Sequence, residues 1–369
     1  MTRLSSFNRL RLLAALLLVS AASAIYAQTI TTFDIPDSTA TMPVAINLRG
    51  QIVGSYVTTT QDHFGYTRLG FVRERDGTTA VFDAGFSEGH RTFPTAINFG
   101  GGITGFVNEL DCGDCAFSFL REMDGTLTIF RVPTELEPRE KQVNELWGVQ
   151  NYIRGTSATD INDVGQIVGV RSELHELGFL RQPDGTLTTF IVPPAVDPPL
   201  ASPHTVPQAI NDLGQVIGYA NASTFSYHGF LRRPNGTTTI FDPLDSTATY
   251  AKAINLLGQI TGFYTTADGV SHGFLRRHNG TIVPFDPPGS LGTEANAINL
   301  EGQIVGYYLD ASGITHSFIR KRNGRITTFD VPGVGVSGTF AQDINLLGEI
   351  AGYYTDGSGT HGFIRLPRP

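Results

Sequence analysis

Hydrophobic and polar positions along this chain follow a pattern of short alternating runs, each broken by turn residues. No stretch after residue 27 keeps the three-to-four-residue spacing of a long helix. The same succession returns again and again. Its best-preserved copy runs Ala253-Ile254-Asn255, then Gly258-Gln259-Ile260-Thr261-Gly262-Phe263-Tyr264, then His272-Gly273-Phe274-Leu275-Arg276, then Asn279-Gly280 and Phe285-Asp286-Pro287. Runs rich in β-branched and aromatic residues between Asn/Gly and Asp/Gly pairs read as strands. Each copy therefore predicts four strands.

The phrase Ala-Ile-Asn-x-x-Gly, or a close variant, places its asparagine at positions 47, 98, 162, 211, 255, 299 and 345, with successive spacings of 51, 64, 49, 44, 44 and 46. Repeats of about 40–50 residues signal a propeller or solenoid. The Asn-x-x-Gly step suits a tight turn with asparagine first and glycine fourth. A second turn between the third and fourth strands carries Asp76-Gly77, Asp124-Gly125, Asp184-Gly185, Asn235-Gly236, Asn279-Gly280 or Asn323-Gly324. Such pairs predict a two-residue hairpin turn. Counting outward from it sets phenylalanine opposite phenylalanine: Phe71 with Phe82, Phe119 with Phe130, Phe179 with Phe190, Phe230 with Phe241, Phe274 with Phe285 and Phe318 with Phe329.

The chain ends choose between ring and spiral. The seventh copy stops at Phe363-Ile364-Arg365 without a fourth strand, while residues 29–36, with Phe33-Asp34, form a spare fourth strand at the start. A solenoid needs polar end caps; a ring needs its first segment to complete its last unit. The fold class expected is all-β: a seven-bladed β-propeller of four-stranded antiparallel blades, closed by residues 29–36, with Phe33 facing Phe363. Residues 28–369 form its single domain.

The repeats resemble the HAF-type extracellular repeat family, on the strength of Ile-Asn-x-x-Gly-Gln-Ile-Val-Gly followed by His-x-Phe, as in residues 298–306 with His316-Ser317-Phe318. The first three copies depart from it, with Leu69, Phe117 and Leu177 in place of the histidine. The resemblance implies export and a propeller-like fold, with no defined activity and no catalytic residues to transfer.

Composition narrows the function. Among 369 residues there are 42 glycines but only three lysines, and acidic residues (34) outnumber basic ones (26), for a net charge of -8. Nucleic-acid binding calls for a basic surface, which this balance argues against. Arg3, Arg9 and Arg11, an uncharged run from Leu12 to Ala27 and small residues at 21–24 have the layout of a secretory signal peptide over residues 1–27, cleaved after Ala24 or Ala27. The run is short for a bilayer span. The expected product is a secreted monomer, extracellular or periplasmic, with no stable membrane insertion and a charge of -11 once those arginines leave.

Antiparallel order gathers the long connections, 57–68, 107–116, 131–158 and 192–207, at one end of the units. Insertions gathered on one face of a repeat protein often form its binding surface. There Trp147, Tyr152, Arg154 and Glu137 could stack on and hydrogen-bond a sugar; alternatively Trp147 anchors its own loop. Cys112 and Cys115 suit a local disulfide in an exported protein, with a zinc site or a redox pair as alternatives. His228, His272, His316 and His361 read as packing residues, since equivalent positions on different blades do not converge on a metal. Asp34, Asp83, Asp242, Asp286 and Asp330 suit turn or capping bonds. Arg73, Arg121, Arg181, Arg232, Arg276, Arg320 and Arg365 would cover the phenylalanine layer with their heads in water. The leading functional expectation is a cofactor-free, non-catalytic protein that binds an extracellular glycan or protein. The alternatives are a polysaccharide hydrolase or lyase, with Asp111, Asp114, Glu137, Glu173 and Glu176 as candidate carboxylates, and a structural envelope or matrix protein.

Overall fold

The computed structural model describes residues 29–62, 65–86, 89–109, 115–133, 155–172, 176–192, 204–223, 226–333 and 335–367. Among them the chain is all β, with 28 strands and no helix. The strands form antiparallel four-stranded meanders such as Ala248–Ile254, Ile260–Thr265, Ser271–Arg276 and Ile282–Phe285. The first strands of successive units touch one another in sequence, and the first unit's touches the last unit's. Strand Ile30–Phe33 pairs antiparallel with the last strand, Gly359–Arg365. Expected insertion 57–68 is largely sheet, because strands Ile52–Asp62 and Gly65–Arg73 extend as one long hairpin.

The Asn-x-x-Gly turn forms as its residues dictate. Gly258 N–H donates to Asn255 O at 3.0 Å, and Gly258 has φ +71. Asn255 Oδ1 accepts from Gln259 N–H at 3.0 Å, while Nδ2 donates to Gln259 Oε1 at 2.9 Å and to Asn299 O at 3.0 Å. That last bond leaves the unit, and it recurs around the molecule. Asn47 donates to Asn98 O, Asn98 to Asn162 O, Asn162 to Asn211 O and Asn211 to Asn255 O. Asn299 donates to Asn345 O, and Asn345 returns to Asn47 O at 3.0 Å. Replacing Asn255 by Ala strands the partners of a buried network. A single unmet buried group costs about 1–3 kcal/mol, so chemical denaturation of Asn255→Ala should read a loss of about 2–3 kcal/mol.

The second turn differs from the expected two-residue hairpin. Arg277 N–H donates to Thr281 O at 2.8 Å and Gly280 N–H to Arg277 O at 2.9 Å. Gly280 has φ +92, and Asp37 and Asp245 are the positive-φ non-glycine residues among those described. This is a three-residue loop, a type I turn closed by a left-handed glycine. An odd loop slides the register by one, so the fourth-strand phenylalanine faces the residue before the third-strand one. Gly273 pairs with Phe285 and Phe274 with Pro284. The same shift pairs Gly70 with Phe82, Ser118 with Phe130, Gly178 with Phe190, Gly229 with Phe241 and Ser317 with Phe329. At the junction of the chain ends Phe33 faces Gly362, not Phe363.

The shift explains the glycine of His-Gly-Phe. A Cβ on Gly70 would lie 2.4 Å from the Phe82 ring. The phenylalanines meet between units instead. Phe33 packs edge-on against Phe71, Phe82 against Phe119, Phe130 against Phe179 and Phe329 against Phe363, with ring centroids 5.9–6.3 Å apart. The core therefore sits between neighbouring units, where Phe71, Phe119, Phe179, Phe230, Phe274, Phe318 and Phe363 are fully buried. The seven arginines seal this layer. Each guanidinium lies over the fourth-strand phenylalanine of the preceding unit, at 4.6–5.2 Å from the ring centre. Their heads do not all reach water as expected. Arg276 and Arg320 are buried, and their Nε and Nη1 atoms have no hydrogen-bond partner among the described residues.

Candidate functional site

Strand direction sorts the surface into two ends. The Asn-x-x-Gly turns and the third-to-fourth-strand turns lie at one end. The long connections lie at the other, where the first strands begin and the second strands finish. Near that end each first strand pairs its third residue with a residue of the second strand. Four such pairs carry large or charged side chains: Phe93 with Phe106, Tyr250 with Phe263, Glu294 with Tyr307 and Phe340 with Tyr353. All eight are half-buried.

These side chains form a belt along the first and second strands near that end. Tyr250 stacks on Phe263 at 4.8 Å and meets Tyr219 of the preceding unit edge-on at 5.1 Å. Tyr227 lies 5.1 Å from Tyr219. Lys252 reaches over Phe263, its Nζ 5.7 Å from the ring centre. Tyr307 Oη donates to Glu294 Oε2 at 2.7 Å, and its ring meets Phe340 at 5.2 Å. Phe340 stacks on Tyr353 at 4.8 Å. Burial, reinforced by Glu176 and the neighbouring tyrosines, pushes the Tyr219 phenol up to about 12. Burial lowers Lys252, against the pull of Glu294. The arrangement offers aromatic faces, phenol hydroxyls, the Glu294 carboxylate and the Lys252 amine on half-buried residues.

Outside the belt, the histidines do not converge. Each bonds an aspartate fourteen residues on: His228 Nδ1 to Asp242 at 2.7 Å, His272 to Asp286 at 2.8 Å and His316 to Asp330 at 2.9 Å. His361 bonds Asp34 at 3.0 Å, across the chain ends. The role expected for Asp34, Asp242, Asp286 and Asp330, turn capping, gives way to histidine pairing. Asp83 combines both, accepting from Gly85 N–H and contacting His90 at 2.8 Å. Tyr264, Tyr308 and Tyr354 pack on the rings of His272, His316 and His361 at 5.0–5.3 Å.

His316 and His361 each touch a second carboxylate, Asp310 and Asp356, at 3.2 Å. Burial pulls both imidazoles down, but bonds to Asp330 and Asp310, and to Asp34 and Asp356, outweigh it and raise them above 6.5. A histidine that binds its proton more tightly when folded stabilises fully below its unfolded value, and that stability is lost as pH rises through the folded value. The melting temperature should therefore fall as pH rises above 6.5, and His316→Gln with His361→Gln should flatten the slope. An unchanged slope in the double variant would exclude these pairs as its source.

Two aspartates replace the alanine of the repeated phrase, a departure that was open to sequence reading. Asp160 Oδ1 accepts from Ile161 N–H and Oδ2 from Ile210 N–H of the next unit, at 2.9 and 2.8 Å. Asp343 likewise takes Ile344 N–H and Ile46 N–H, both at 2.8 Å. Burial pushes Asp160 up to about 7, against those backbone donors and with repulsion from Asp343 and Asp212. Part of each residue's surface remains accessible, so the carboxyls are enclosed between strands and not sealed. With both oxygens committed to the backbone, they act as latches between units.

Trp147, Tyr152, Arg154, Glu137 and Cys112 lie outside the described residues, as do Asp111, Asp114 and Glu173. Glu176 starts a third strand and contacts His204 at 3.2 Å. Cys115, at the start of strand Cys115–Arg121, is disulfide-bonded. Among the described residues no group of three or more His, Cys, Asp or Glu side chains is placed to hold a metal ion.

No known protein family matches the chain, and no curated protein matches its sequence. Solved structures do match. The β-propeller domain of the Trilobed protease from Pyrococcus furiosus, described as having an open velcro topology, aligns over 88% of this chain and 94% of its own at 10% identity, with a TM-score of 0.55. A prolyl endopeptidase aligns at 12% identity and TM-score 0.52, and the acylaminoacyl peptidase of Pyrococcus horikoshii at 8% and 0.51. They cover 95% and 88% of this chain, which spans about half the length of each (52%). At these identities the likeness concerns the fold alone: the chain has a β-propeller fold.

Proposed function

We propose that this chain is an exported, non-catalytic seven-bladed β-propeller, related to HAF-type repeats, that binds an extracellular glycan at its loop-rich end. Blade count and closure are supported by the circuit of seven asparagine bonds, from Asn345 back to Asn47, and by the pairing of Ile30–Phe33 with Gly359–Arg365. Export rests on the layout of residues 1–27, and an oxidising compartment suits a Cys112–Cys115 disulfide.

The observation that carries the binding reading is the aromatic belt with Glu294 and Lys252. Stacked rings beside a few hydrogen-bonding groups match the alternating apolar faces and hydroxyl edges of a sugar. Trp147, Tyr152, Arg154 and Glu137, in the connection 131–158, are proposed to extend this surface. A glycan array probed with the purified protein, Tyr250→Ala and Glu294→Gln tests this. Selective binding lost in both variants is expected. Silence of the native protein across the array, or binding indifferent to both changes, would refute a glycan role for the belt.

A further inference from the structure

The opposite end of the molecule carries a second surface. Every Asn-x-x-Gly turn exposes a large apolar side chain, Leu48, Phe99 and Val164 in the first three units, and in the last four these are six leucines: Leu213, Leu256, Leu257, Leu300, Leu346 and Leu347, each 37–58% accessible. A polar turn would do the same structural work, since the shared geometry needs only the asparagine and the glycine. The turns belong to first strands that touch in sequence around the axis, so the six leucines form an arc at one level. The neighbouring third-to-fourth-strand turns expose Arg233, Arg277, Lys321, Arg322 and Arg325. Against these stand two exposed acids in the same turns, Asp212 and Glu301. The sector is thus basic and apolar in a chain whose net charge is -8.

The chain start leads to the same place. Leu366 N–H donates to Thr29 O at 3.0 Å, which holds the beginning of strand Ile30–Phe33 at the short-turn end, beside the unit of Leu346 and Leu347.

We propose that this sector docks on an anionic lipid surface, the leucines entering the headgroup region and the cations facing lipid phosphates. The cationic border complements the negative charge of lipid phosphates. Buried apolar area and attraction to anionic lipid act together in such surface binding. Among the described residues no helix is long and apolar enough to cross a membrane. The contact uses the end opposite the proposed glycan site and stands independently of it.

The test uses the protein as recovered from expression of the full chain, with vesicles of phosphatidylcholine alone or with 30% phosphatidylglycerol. The variant L256D/L257E/L346D/L347E has a repeat precedent for folding, because Asp163, Asp212 and Glu301 occupy equivalent turn positions. Amide exchange at turns 255–259 and 345–349 should slow at least threefold with anionic vesicles only. The effect should fade at high salt and vanish in the variant, while glycan-array binding is unchanged. Absence of protection, equal protection by neutral vesicles, or protection without lipid that grows with protein concentration would each overturn the proposal; the last would mark the arc as a contact between copies.

Discussion

Gly262→Ala should destabilise the protein by about 3 kcal/mol or more, far beyond the usual effect of a single methyl group. Gly262 is an interior strand residue. Its added Cβ would lie 2.0 Å from Tyr250 O and 3.0 Å from the Ala251 Cα and the Lys252 nitrogen, all backbone atoms of the adjacent strand. The strand register shifts there between Ala251 and Ala253, bringing the first strand against the glycine. Backbone held in a ladder cannot yield as a side chain can, so relief must come from breaking the pairing. Overpacking ordinarily costs about 1–3 kcal/mol, and this contact is harsher than most. Gly54, Gly105, Gly169, Gly218, Gly306 and Gly352 meet a first-strand carbonyl at 2.0–2.2 Å in the same way. Gly269 is the control. It has φ +80, and an added methyl group would meet nothing within 4 Å, so Gly269→Ala should cost about 1 kcal/mol of backbone strain. Equal denaturation midpoints for the two variants would contradict the close approach.

Removal of residues 29–36 should abolish cooperative folding or leave an aggregating chain. The segment contributes Ile35, which is 3% exposed, and Phe33, which packs under Arg73 and against Phe71. It also contributes Asp34, the partner of His361. Burial of two such apolar side chains stabilises by about 3–6 kcal/mol, against a typical total of about 5–15 kcal/mol. Strand Gly359–Arg365 would be left with an unpaired edge, a template for association. Arg75, which bonds both oxygens of Glu349 at 2.6 and 2.8 Å, and Asn345 would still link the first and last units. A peptide of residues 29–37 added in trans should therefore restore part of the lost thermal transition. A truncated protein that melts as a monomer at the native temperature would show that the first strand is dispensable.

The strand content, the repeat and the identity of nearly every turn were legible in the sequence, because each is written in neighbouring residues. Asn-x-x-Gly and the Asp-Gly or Asn-Gly pairs lie where turns form. The register was not legible, since two- and three-residue loops share the dipeptide and differ only in which residues adopt left-handed φ. That one-residue difference moved Phe285 from Phe274 to Gly273. It turned an expected contact within a unit into a contact between units, and gave each arginine a ring in the preceding unit. The aromatic belt was equally hidden. Tyr219 and Tyr250 are 31 positions apart, and only the packing of adjacent units brings them together. The expectation centred on Trp147 because a lone large aromatic in a long connection stands out in a sequence, whereas strand tyrosines look like ordinary core.

The sequence by itself determined an all-β repeat protein with its turns and its duplicated glycines, because those depend on backbone preferences local to a few residues. Only the tertiary structure decided which side chains meet. Contacts between units, from the asparagine circuit to the arginine–phenylalanine layer and the belt, depend on register and on the rotation from one unit to the next, and neither quantity is encoded in any single repeat.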